Sequence, residues 1–348
     1  MMSYEVTIGI PVYNVKEHIR LTMDSVLAQT FSSIEFLVLD DCGTDGSMDI
    51  IREYQQTHPR GKDIRIVRQP QNGGIGRARN RIVEEAAGKY LYFVDADDGI
   101  APNTIELLYA NAQRYDAQIV YASHERVEEF DGQTKRLPFK YPSVQFLKED
   151  EFAAYAYSQY ESIQAMTWNF LVELDIYKKN DLRYQPINYW EDFMLTFDLP
   201  TYITRAVLLP DVTYYYYCRS GSLSNYNKRD HIGKDEILKT VNALNQVKGR
   251  SERLRSKSYF PRRMYKLMLT AFYVVCTVLR NEKVISPSFT KREIRDIMKS
   301  PLTLSDVLRF RQARMVNLLL WLFGTLPPSF SVLLMRAVGR MKGCIGPD

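Results

Sequence analysis

Apolar residues arrive in two alternating rhythms over the first third of the chain. Val6-Thr-Ile-Gly-Ile-Pro11, Ile34-Glu-Phe-Leu-Val-Leu39, Ile64-Arg-Ile-Val67, Tyr90-Leu-Tyr-Phe-Val94 and Ile119-Val-Tyr-Ala122 are short runs of the kind buried strands show. Between them, apolar residues recur at helical spacing: Ile19, Met23, Val26 and Leu27; Ile50, Ile51 and Tyr54; Ala78, Ile82, Val83 and Ala86. Asn14 is placed to cap the first of these helices and Gly88 to stop the third. Pro11 cannot donate to a ladder and marks the end of its strand. Strands alternating with helices over residues 5–122 predict an α/β fold, a mostly parallel sheet with helices on both faces.

Such sheets bind ligands outside the carboxyl ends of their strands. Pro11 to Asn14, Asp40-Asp41 and Asp95-Ala-Asp97-Asp98 all fall at predicted carboxyl ends. Three carboxylates closing an aromatic strand repel one another unless a cation sits among them, and hard divalent cations prefer such oxygens. The bland reading of the same stretch is a solvated acidic loop. A dinucleotide site is not indicated, because no glycine follows the first strand, and in the later Gly73-Gly-Ile-Gly76 run Arg79 stands where a third glycine belongs.

Composition narrows the class further. The 348 residues are 45% hydrophobic, enough for a large core, and the net charge of +5 gives no reason to expect nucleic acid. Met1 to Tyr13 lacks a basic segment followed by an apolar core, so no secretory signal is expected there. The four cysteines are far apart with no CxxC pair, which suggests neither a zinc site nor a disulfide scaffold and fits a cytoplasmic setting.

Taken in order, Pro11-Val-Tyr-Asn14, Asp40-Asp-Cys-Gly-Thr-Asp45-Gly-Ser47, Asn72-Gly-Gly74 with Ala78-Arg-Asn80, Asp95-Ala-Asp-Asp98, Trp190-Glu-Asp192 and Tyr217-Cys-Arg219-Ser-Gly-Ser222 resemble the family 2 glycosyltransferases, whose nucleotide-sugar-binding fold is called GT-A. The resemblance implies a GT-A domain over 1–234 and an inverting transfer of a sugar from a nucleotide-sugar donor, most often a UDP-sugar. The acceptor would be a hydroxyl of a glycan or a lipid-linked glycan, and Mg²⁺ or Mn²⁺ the cofactor. It implies that Tyr13 lies against the base with Pro11, Val12 and Asn14 shaping the strand exit, that Asp41 accepts from the base edge, and that Arg79 approaches the phosphates or the sugar. Asp45 resembles the second acid of its loop and reads better as a helix cap. Asp95, Asp97 and Asp98 form the DxD-type motif, one or two of them holding the cation, with Asp97 and Asp98 the metal candidates, and another touching the ribose, with Asp95 and Asp97 the donor contacts. Asp192 resembles the catalytic base, with Glu191 beside it and Arg219 helping the leaving diphosphate. Trp168 offers an aromatic face to an acceptor sugar or belongs to the core.

The chemistry agrees with these roles. A sugar hydroxyl is a poor nucleophile, and a carboxylate that takes its proton accelerates attack by roughly 10²–10⁴-fold. Two other functions fit less well. A sugar nucleotidyltransferase wants a Gly-rich basic loop after its first strand and would release pyrophosphate. A non-catalytic carbohydrate-binding protein would be indifferent to Asp192→Asn.

From residue 235 the character changes to a helical region. Asp235–Gly249 and Leu267–Leu279 read as helices, with a basic stretch between. Met315–Met335 carries no charge over 21 positions, with Arg309, Arg311 and Arg314 before it and Arg336, Arg340 and Lys342 after. That length could span a membrane, but Pro327-Pro328 lies inside, and an interior proline costs roughly 3 kcal/mol. Two short helices with a bend are expected. They either lie in a membrane interface, giving peripheral contact through 309–342 on the cytoplasmic face, or pack in a core with snorkelling arginines.

Overall fold

A computed structural model describes residues 4–130, 133–158, 163, 166–187, 191–218 and 230–345. The chain forms two units, one of residues 1–152 with 164–224, the other of residues 153–163 with 225–348.

The first unit is built on a mixed sheet. Its strands are β1 (Val6–Val12), β2 (Ile34–Asp40), β3 (Ile64–Arg68), β4 (Tyr90–Phe93), β5 (Gly99–Ile100), β6 (Ile119–Phe130), β7 (Gln133–Phe139), β8 (Val144–Phe146), β9 (Phe170–Glu173) and β10 (Ala206–Cys218). The path runs β3-β2-β1-β4-β9-β6-β10-β5. β3, β2, β1 and β4 pair in parallel. β9 is antiparallel to both β4 and β6, and β10 is parallel to β6, so β1, β2, β3, β4, β6 and β10 share one direction while β5, β7, β8 and β9 run against it. Helices α1 (Ile19–Leu27), α2 (Ser47–Thr57), α3 (Ile75–Glu85), α4 (Thr104–Tyr115), α6 (Leu174–Lys179) and α7 (Phe193–Asp198) connect them, while α5 (Glu151–Ser158) starts in this unit and belongs to the second from Ala153 onward.

Every residue of β1 and β2 is buried, as expected of parallel strands covered on both faces. α1 turns Ile19, Met23, Val26 and Leu27 inward, as its spacing predicted. In α2 the buried face is Ser47, Met48 and Ile51, with Ile50 and Tyr54 at its edge. Asn14 does not cap α1. It takes a left-handed conformation, φ 50°, and its Oδ1 accepts from the Thr44 backbone N–H at 2.8 Å, tying the β1 exit to the loop after β2. Gly88 does not stop α3 either, which ends at Glu85. A Cβ at 88 would lie 2.5 Å from the Thr7 backbone nitrogen, so glycine there permits close passage of the chain beside β1.

The second unit is helical: α8 (Lys234–Arg250), α9 (Phe260–Arg280), α10 (Lys291–Ile297), α11 (Leu304–Arg309), α12 (Arg314–Thr325) and α13 (Pro328–Met341), with a two-stranded parallel ribbon of β11 (Ile232–Gly233) and β12 (Ile285–Ser286). That pairing binds residues 232–233 to the helices, so this unit begins ahead of the 234/235 boundary read from the sequence. α9 is its axis, with α8, α10, α12 and α13 packed on it. Lys248 is buried, and its Nζ donates to the Ile297 and Lys299 carbonyls at 2.9 and 3.0 Å, closing the end of α10. The uncharged run breaks at Leu326-Pro327 into α12 and α13, the bend that the prolines predicted. Among the described residues no helix is long and apolar enough to cross a membrane.

Candidate active site

β1 lies between β2 and β4, all three parallel, so their carboxyl ends emerge side by side. Tyr13, Asp41 and the Asp95–Asp98 stretch therefore share one sheet edge. Tyr13 is half exposed, so its ring is open at that edge and not part of the core. Pro11 and Val12 are buried in β1 itself.

Asp41 is buried, and its two oxygens accept from the backbone N–H groups of Gly73 at 2.8 Å and Gly74 at 3.0 Å. The glycine turn before α3 thus folds onto the protein's own carboxylate. Gly74 sits at φ 77°, where a side chain is strained. Asp45 accepts from Lys16 N at 2.7 Å and from Ser47 N at 3.0 Å, holding two loops together just ahead of α2.

Asp95, Asp97 and Asp98 differ sharply. Asp98 has no exposure, and its oxygens accept from the Tyr214 hydroxyl at 2.8 Å and the Tyr217 N–H at 2.9 Å. Burial first, then Asp97 and Asp95, pushes its carboxyl well above the usual range. Expected beside Asp97 as a cation ligand, Asp98 instead fastens the β4 exit to β10, because β10 supplies donors to both its oxygens. Asp95 and Asp97 keep partial exposure.

Arg79 is the centre of the arrangement. It is buried on α3, yet its guanidinium donates to Asp95 Oδ1 at 2.9 Å and to Glu191 Oε1 at 2.8 Å, over the Tyr184 ring. Burial alone would lower its pKa. Asp95, Glu191 and Asp192 more than reverse that, so the cation is held firmly. Asn80, on the same face of α3, donates to the Tyr184 carbonyl and accepts the Tyr184 N–H, both at 2.8 Å. Gly76 completes that face, and a Cβ there would meet the Gln185 carbonyl at 2.4 Å. One helix face, at spacings i, i+3 and i+4, therefore carries the segment that leads to Glu191 and Asp192.

Asp192 caps α7, accepting from Phe193 N at 2.7 Å. It is only part-exposed. Burial, then Glu191, pushes its carboxyl up to about 7, against the pull of Arg79. Asp95 adds to the same rise, as neighbouring acids do. The distant acid and the strand-end acids thus share one electrostatic centre.

Trp168 goes to the core. It stacks on Tyr214 with ring centres 4.3 Å apart, which closes that face to an acceptor sugar. Arg219 and Trp190 lie outside the described residues. Sequence reading missed Tyr214, which looked like one tyrosine of a strand, and Tyr184, which no periodicity marked. Among the described residues, no group of three or more His, Cys, Asp or Glu side chains is gathered as a ligand set. A cation held by one or two carboxylates together with substrate phosphates needs no such group.

The model of the family described as "Glycosyl transferase family 2" matches residues 7–179. The chain is 27% identical over 231 residues to "Glycosyltransferase GlyG" of Streptococcus pneumoniae, covering 64% of this chain and 73% of that protein. Its fold is similar to S. aureus TarS 1–349 in complex with UDP, at a TM-score of 0.63 and 15% identity, over 97% of this chain and 92% of that one. It is also similar to the mannosyltransferase PcManGT of Pyrobaculum calidifontis in complex with GDP-Man and Mn²⁺, at a TM-score of 0.53 and 15% identity, over 97% and 88% of the two chains.

Proposed function

The chain belongs to glycosyl transferase family 2 and is a glycosyltransferase, and we propose that it moves a sugar from a UDP-sugar to a hydroxyl of a glycan or lipid-linked acceptor, inverting the anomeric carbon. The observation that carries this reading is Arg79, which bridges Asp95 at the end of β4 to Glu191, next to Asp192. It sets a donor end and a base end in one site.

Tyr13 offers its half-exposed ring to the nucleobase, and Asp41, its carboxylate already fixed by Gly73 and Gly74, stands at the base edge. The UDP in the TarS complex supports a uridine donor. Asp95 and Asp97, both part-exposed at the strand exit, would hold Mg²⁺ or Mn²⁺, and the Mn²⁺ beside GDP-Man in PcManGT supports a cation. Bound there, it supplies Lewis-acid stabilisation of the charge on the leaving diphosphate.

Asp192 then acts as general base on the acceptor hydroxyl. A carboxyl poised near 7 is matched to that task at neutral pH. The hydroxyl oxygen bonds to the anomeric carbon, the bond from that carbon to the diphosphate breaks, and Asp192 keeps the proton. Arg79 keeps the two acid groups at fixed separation while charge moves between them. A lipid-linked acceptor places the reaction at the cytoplasmic face of a membrane.

The test is release of nucleoside diphosphate from a panel of nucleotide sugars with Mn²⁺. One donor should be preferred, and Asp192→Asn should remove acceptor-dependent release. Pyrophosphate as the product, or turnover that ignores Asp192→Asn, would overturn the reading.

A further inference from the structure

α12 and α13 are apolar on two opposite faces. Their inner faces pack on α9 and α10. Phe323 stacks on Phe272 with ring centres 5.7 Å apart, Asn317 donates to the Pro261 carbonyl at 3.0 Å, and Gly324 lies against the Met298 carbonyl. Gly339 lies against Cys276 of α9. Such contacts account for the buried residues Leu320, Phe323, Val332 and Met335. They do not account for the outer faces. On α12 the outward stripe is Met315 and Leu319, one turn apart, with Met315 74% exposed. On α13 it is Phe330, Leu333, Ala337 and Met341, at spacings of three and four, with Leu333 62% and Met341 87% exposed. Each stripe lies opposite its helix's packed face, so both point away from the α9–α10 layer.

Charge selects the occupant. After Asp306 the next acid in the chain is Asp348, while Arg309, Arg311, Arg314, Arg336, Arg340 and Lys342 fall between them. Of these, Arg336 is paired with Glu282 at 2.8 Å, Arg314 Nε donates to the Phe310 carbonyl at 2.7 Å, and Arg309, Arg311 and Lys342 are exposed. A second copy of this face would bring cations against cations. A neutral apolar partner would leave them unused. An anionic lipid surface takes both at once, the stripes entering between acyl chains and the cations meeting phosphates.

We infer that α12 and α13 form an interfacial surface that seats the protein on an anionic bilayer, stripes inward and cations at headgroup level. It rests on the proposed transfer reaction only for its purpose, which is to bring the site to a lipid-linked acceptor. Its binding energy comes from apolar area and charge together, so neither alone suffices.

The experiment is sedimentation of the full chain with vesicles of phosphatidylcholine alone, and with vesicles that also contain phosphatidylglycerol. Wild type should sediment with the mixed vesicles, weakly with the neutral ones, and less as salt is raised. Phe330→Glu with Leu333→Glu, and separately Arg309→Glu with Arg311→Glu, should each cut binding to mixed vesicles by about tenfold or more. All four positions are exposed, so thermal unfolding should stay at the wild-type midpoint. If the glutamate pair lowers it, Phe330→Ser with Leu333→Ser replaces that pair. Absence of wild-type binding to mixed vesicles would overturn the inference, as would binding that the substitutions leave unchanged. A dimer that Leu333→Glu dissociates would overturn it too, since the face would then belong to a second copy. Diphosphate release on a soluble acceptor is measured on the same samples. Its loss counts against the transfer reaction and leaves the membrane result standing.

Discussion

Arg79 and Glu191 are 112 positions apart in the chain and 2.8 Å apart in space. The same guanidinium holds Asp95 at 2.9 Å, so one side chain sets the spacing between the β4 exit and the segment that bears Asp192. Both acids are largely shielded, which makes the cation between them part of the structure that holds these segments together.

Arg79→Ala leaves those two acids without their cation. Breaking a buried pair costs about 3–5 kcal/mol, and the partial exposure of Asp95 points to the lower end, about 3 kcal/mol. Urea unfolding should show that loss in midpoint. Arg79→Lys should restore only part, because a lysine ammonium lacks the rigid planar fork that meets Asp95 and Glu191 through separate nitrogens.

Asp192→Asn separates chemistry from binding. We expect kcat to fall by roughly 10²–10⁴-fold with donor affinity nearly unchanged. Stability should move the other way. The folded carboxyl titrates near 7 against 3.8 as its ordinary value, so its ionised form disfavours the fold as pH rises through that window. The variant should therefore melt above wild type at about pH 8, and the gain should vanish below about pH 4.

The rate should carry an acid limb from the same group. The base works deprotonated, so kcat/KM should fall about tenfold per pH unit below an apparent pKa near 7. Glu191 is the largest cause of that rise after burial, so Glu191→Gln should move the limb to lower pH. Diphosphate release measured from about pH 5 to about pH 9 reads both curves.

The strand-end acids should separate by role. Asp97→Asn should abolish metal-dependent release without a large change in melting, and a chelator should do the same to wild type. Asp98→Asn should act on structure, since the Tyr214 and Tyr217 donors hold it inside. Tyr214→Phe, which leaves a buried carboxyl short of a partner, should cost about 1–3 kcal/mol in unfolding. Equal metal sensitivity in Asp97→Asn and Asp98→Asn would show that the buried acid also meets the ion.

The parallel core was legible because strands buried on both faces are written as near-continuous apolar runs, and β1, β2 and β4 are, interrupted only by the buried Thr7 and Glu35 and closed by Asp40. β9 was not, because its Phe170–Glu173 run is short and a local pattern carries no strand direction. At the site, acids at strand ends could be counted from the sequence, but their division of labour could not. Asp98 is set apart by its burial and by Tyr214 and the Tyr217 N–H, which lie far along the chain in β10. Asn14 was misassigned for a related reason. A capping side chain also satisfies a loop amide, and here the Thr44 amide was the nearer orphan.

Gly76 sets a limit on what this site can become. Helix α3 touches the Gln185 carbonyl where even a methyl group would intrude, so the chain ahead of the base rests directly on helical backbone. Alanine at 76 would act as a shim a single carbon thick. It would push the Gln185 segment, and with it Asp192, away from α3 without changing any of the acids at the site.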